Sequence, residues 1–111
     1  MPEFSAESDS RNGVASIALC GELDMATLPD LEGHLAPFES NGVSAIMLDL
    51  GELTFIDSTG LHALVREKER ARAHGQQLIL VGARPSARRL FELTCTEYLL
   101  DDHVQDSLAD D

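Results

Sequence analysis

Three short apolar runs constrain this chain most: VASIALC (residues 14–20), AIMLDL (45–50) and QLILV (77–81). Each is the length of a strand, and none sustains an apolar/polar alternation. Such runs predict strands buried in a sheet that is covered by helices. The segments between them have helical period. Leu28, Leu31, Leu35 and Phe38 follow Thr27, a candidate N-cap with Pro29 and Asp30 in the first turn. Gly33 and Pro37 weaken that helix, and Pro37 is expected to end it early or kink it. Leu61, Leu64, Val65 and Ala71 mark a second helix, with Arg66, Glu67, Glu69 and Arg70 facing away and Gly75 as its stop. A third opens at Pro85-Ser86, with Ser86 as candidate N-cap and Ala87, Leu90, Phe91 and Thr94 turned inward.

The remaining elements are smaller. Residues 4–7 predict a short edge strand, which the hairpin signal Asn12-Gly13 joins to the first apolar run. Residues 102–105 predict a last edge strand and 107–109 a stub of helix. A hairpin followed by alternating helices and strands predicts an α/β domain with a mixed sheet. At 111 residues, the chain is expected to form a single domain over 1–111.

Charge narrows the function. Twenty acidic and 8 basic residues give a net charge of -12, which disfavours nucleic acid and anionic membranes as partners. Seven of the 8 bases lie between residues 66 and 89, and the last 22 residues carry seven acids and no base. An acidic body with one basic sector fits a protein that meets other proteins. No apolar run is long enough to span a bilayer. MPEFSAESDSRNG has neither the basic flank nor the apolar stretch of a signal peptide, so a cytoplasmic protein is expected. Cys20 and Cys95 form no CxxC pair and are expected to be buried reduced thiols. The four histidines lack metal-ligand spacing, so no metal or other cofactor is expected.

The chemically richest stretch is GELTFIDSTGLHAL (51–64), where an apolar strand passes through Asp57-Ser58-Thr59-Gly60 into a helix. A hydroxyl there could cap the helix, act as a nucleophile or accept a phosphate. A carboxylate beside a serine is a poor base without histidine, and His62 lies one helical turn on. No GxSxG elbow is present, and the single DSTG offers no second carboxylate for an aspartic-protease pair. Helix cap and phosphate acceptor remain, since a helix N-terminus serves both.

Four stretches, taken together and in order, resemble one family: GELDMATLPDL (21–31), LDLGELTFIDSTGLHALV (48–65), LILVGARP (78–85) and RRLFELT (88–94). The chain resembles the STAS domain family, and within it the bacterial anti-sigma factor antagonists. The resemblance is strongest over residues 4–100, leaving 101–111 as an acidic tail or short helix. It implies a small mixed sheet with helices mainly on one side. It also implies that Ser58 is the phosphorylation site of an anti-sigma factor serine kinase. The unmodified protein would bind that kinase and release a sigma factor; phosphorylation would switch it off and a phosphatase would reset it. Asp24, Asp57, Ser58, Thr59, Gly60 and His62 become the expected partner-binding residues, and no catalytic activity is implied. Where the family usually has glycine after the third helix this chain has Cys95, so a strained or altered helix end is expected there. Two other readings differ in class. One is a STAS subunit of a larger lipid-transport or stress-signalling assembly, without a phospho-switch. The other is a small enzyme using Ser58 with Asp57 or His62.

Overall fold

A computed structural model describes residues 4–101. The elements are β1 (Phe4–Arg11), β2 (Val14–Leu23), α1 (Leu28–Ser40), β3 (Ala45–Ile56), α2 (Ser58–Ala73), β4 (Gln77–Val81) and α3 (Pro85–Leu93), followed by a 3-10 turn at Glu97–Leu99. The sheet order is β1-β2-β3-β4. β1 and β2 form an antiparallel hairpin, while β2–β3 and β3–β4 are parallel. Leu100 adds a parallel bridge to Leu80 on the far side of β4. No helix among the described residues is long and apolar enough to cross a membrane. The strand and helix expected over 102–105 and 107–109 lie outside the described residues.

The domain is α/β with a four-stranded mixed sheet and its helices chiefly on one face. In β2, Ala15, Ile17 and Leu19 are buried, whereas Ser16, Ala18 and Cys20 are exposed. Across the parallel ladder, Ile17, Leu48 and Leu80 lie side by side and enter one core with Leu31, Leu35, Leu61, Leu64 and Phe91. The alternation was therefore present but disguised, because Ala18 and Cys20 are small apolar residues on the open face. Cys20 and Cys95 are both exposed, which corrects the expectation of buried thiols.

Strand and helix ends differ from the sequence expectations in instructive ways. β1 runs on to Arg11 because each of its residues pairs with β2, whatever its polarity. α1 passes through Pro37 to Ser40. The N–H that proline lacks would have met the carbonyl of Gly33, which is exposed to water, so its loss is tolerable. α3 starts on Pro85 with Arg84 at its N-cap and no side-chain cap bond, so Ser86 lies inside the helix. α2 and α3 close on the same pair of backbone bonds. In α2, Gln76 N–H donates to Ala71 O (2.8 Å) and Gly75 N–H to Arg72 O (3.2 Å); in α3, Thr96 N–H donates to Phe91 O (2.8 Å) and Cys95 N–H to Glu92 O (3.1 Å). This is the Schellman closure, which requires a left-handed residue. Gly75 adopts φ 73° without a Cβ to clash, whereas Cys95 is held at φ 59°. The strain expected from a non-glycine residue at that helix end is present.

Candidate functional site

Two turns adjoin at the C-terminal ends of β2 and β3, where open parallel sheets commonly place their sites. The first follows Leu23. Asp24 Oδ1 accepts from Ala26 N–H (3.0 Å) and Thr27 N–H (3.1 Å), which folds residues 24–27 into a tight turn leading into α1. Thr27 stands at the N-cap position but does not cap α1. Its buried hydroxyl instead donates to Glu22 O (2.8 Å) and accepts from Asp24 N–H (3.0 Å). The capping carboxylate of this turn is therefore Asp24.

The second turn joins β3 to α2. Asp57 is the N-cap, in extended conformation, and its Oδ1 accepts from Gly60 N–H at 2.9 Å. Ser58 is thus the first residue of the helix, and the cap is Asp57 rather than a hydroxyl. Its side chain is exposed, and its hydroxyl has no hydrogen-bond partner among the described residues. Thr59 is half-buried and Gly60 is buried.

Asp57 N–H donates to Leu23 O (3.3 Å), which ties the two turns together. Gly60 packs so tightly on the first turn that a Cβ there would sit 2.6 Å from Leu23 O and 3.1 Å from Ile56 Cγ1. Only glycine lets α2 begin so close to the end of β2.

Asp24, Asp57, Ser58, Thr59 and Gly60 therefore belong to one pair of joined turns. His62 lies one helical turn further along α2, exposed. No hydrogen bond links Ser58 to Asp57 or His62, so the geometry supplies no base to the hydroxyl. Sequence reasoning missed two apolar residues here. Met25 is 74% exposed in the first turn, and Phe55 is 49% exposed on β3, beside Glu22 in the ladder. Phe55 lies in an apolar run that reads as core. Alternation from the buried Leu53 would turn Phe55 inward, so the sequence carried no signal; the register shift between Gly21 and Glu22 leaves it exposed.

Comparison with known proteins agrees with this architecture. The STAS domain family pattern matches residues 5–110. An anti-sigma-B factor antagonist of Staphylococcus aureus is 30% identical over 103 residues, covering 93% of this chain and 94% of that protein. A crystal structure of an anti-sigma factor antagonist from Mycobacterium paratuberculosis superposes with a TM-score of 0.80 at 27% identity, covering 96% of this chain and 92% of that one. SpoIIAA, an anti-sigma factor antagonist solved in its unphosphorylated form, shares the fold with a TM-score of 0.74 at 22% identity, covering 96% and 93%. With β2, β3, β4 and both turns inside the matched region, this chain belongs to the STAS domain family.

Proposed function

We propose that the protein is an anti-sigma factor antagonist switched by phosphorylation of Ser58. One observation carries this reading: the only uncommitted side chain among the three polar residues Asp24, Asp57 and Ser58 is the serine hydroxyl, and it stands exposed at the first position of α2. The two carboxylates hold the turns together; the hydroxyl holds nothing. It can gain a group without unfolding the domain.

A kinase would transfer the γ-phosphoryl of ATP to Ser58 Oγ. The Oγ–P bond forms as the bond to ADP breaks, and the hydroxyl proton passes to the kinase's base. Gly60 N–H is taken by Asp57, but the N–H groups of Ser58 and Thr59 have no protein partner among the described residues. They favour a phosphate at this end of the helix. The modification adds about -1.5 to -2 charge beside two carboxylates. It does so next to the exposed Met25 and Phe55, which suit an apolar contact with the partner. A doubly charged group there must keep its water, so the interface opens.

In this reading the partner is an anti-sigma factor that is also a serine kinase. A phosphatase acting on phospho-Ser58 restores binding. Asp24, Asp57, Ser58, Thr59, Gly60 and His62 form the contact face, and the protein serves as a substrate without catalysing a reaction of its own. Incubation with the cognate kinase and ATP is expected to add one phosphate to the wild type and none to Ser58→Ala. Equal labelling of both would refute the assignment. Recovery of transporter subunits and no kinase in a pull-down would favour the assembly-subunit alternative.

A further inference from the structure

Two cations of α2 are committed to other groups, while Arg72, in the last turn, is exposed. Lys68 donates to Asp101 Oδ2 (2.7 Å) and Leu99 O (2.7 Å). Arg70 is held by Glu39 (2.9 Å) and Glu67 (3.1 Å). His62 and Arg66, the two basic residues nearest Ser58 along the helix, are exposed and have no partner among the described residues. They stand four and eight residues beyond Ser58 in one uninterrupted helix, so the three side chains share a face. Residues four apart have Cβ atoms about 5–6 Å apart. Helical side chains also lean toward the N-terminus, which brings the imidazole toward the serine.

We propose that His62, backed by Arg66, binds the phosphate of phospho-Ser58 within the same helix. The inference rests on the reading of Ser58 as phosphoacceptor and deepens it by assigning the modified side chain an internal partner. Glu69 follows Arg66 by three residues on α2, and two carboxylates lie toward Ser58: Asp57, on the cap, and Asp24, on the adjoining turn. Each of these two keeps one oxygen on backbone N–H groups. Their charge opposes the phosphate, and a basic side chain one turn along the helix offsets it. The released form is then held by its own helix, with no basic residue needed from the partner. His62 is a positioning residue in this account.

The test installs phosphoserine at position 58 during translation, so it does not depend on finding the kinase. The 31P resonance is then titrated. An ion pair across one helical turn is expected to lower the phosphate's titration midpoint by about 0.3 pH unit relative to His62→Gln. His62→Lys should keep the low midpoint, and 1 M salt should bring wild type close to His62→Gln. Coincident midpoints for wild type and His62→Gln at low salt would overturn the inference and leave the phosphoacceptor reading intact. Failure of a cognate kinase to label Ser58 would overturn that reading instead.

Discussion

The two ends of α2 are built on opposite plans. At its N-terminus, polar side chains bond only to nearby backbone, and Ser58, His62, Met25 and Phe55 face solvent. At its C-terminus, side chains reach other elements. Arg70 links α2 to Glu39 of α1, Gln76 donates to Val43 O (2.9 Å), and Lys68 ties the helix to Asp101. Asp101 in turn pairs with Leu80 of β4 through both its N–H and its carboxylate. One end is anchored across the fold, and the other is held by short local bonds that leave its outer surface free.

The sharpest way to break this contrast is at Gly60, where the open end is tightly packed. Gly60→Ala drives a Cβ against backbone at Leu23, and should cost about 1–3 kcal/mol in urea unfolding. It should also weaken kinase binding more than Ser58→Ala does, because it separates the two turns. A Gly60→Ala protein as stable as wild type would show that the turns are not rigidly joined.

The anchored end should respond to pH. Burial raises the Glu39 carboxyl from 4.5 to about 7, and the neighbouring Glu67 adds to the effect. Arg70 and His74 pull the other way but are outweighed. Glu39 Oε2 lies at ion-pair distance from Arg70 yet is buried without an aligned hydrogen bond. Because the folded state holds this proton more tightly than the unfolded chain, its stabilisation is fully present below about pH 4.5. It declines as pH rises through about 7. The difference in stability between wild type and Glu39→Gln should therefore change by roughly 1–2 kcal/mol between pH 5 and pH 8. A constant difference would show that Glu39 ionises normally.

The smallest expected effect is at the cap. Asp57→Ala removes the acceptor for Gly60 N–H and should cost about 1 kcal/mol, with Asp57→Asn recovering most of it. A loss of binding in Asp57→Asn without a loss of stability would give this carboxylate a role at the partner surface beyond capping.

The position of the candidate site was legible because its parts are local. Asp57, Ser58 and Gly60 lie within four residues, and strand-to-helix seams carry recognisable cap chemistry. What was misread turned on which neighbour a side chain meets. Thr27 is a good N-cap residue by type, yet its hydroxyl is drawn to Glu22 O because the chain turns back over β2. Cys20 and Phe55 look like core residues by composition. Strand register places both on exposed surface, and register depends on partners tens of residues away.

By itself the sequence determined the order of strands and helices, the mixed α/β sheet and the seam at Ser58. These follow from periodicity and short-range capping, which involve residues a few positions apart. Only the tertiary structure decided that Gly60 seats one turn on the other and that Glu39 and Arg70 meet in a half-buried clasp. Each depends on elements distant in sequence meeting at close range, and on burial, which alters both the freedom and the charge of the groups that meet there.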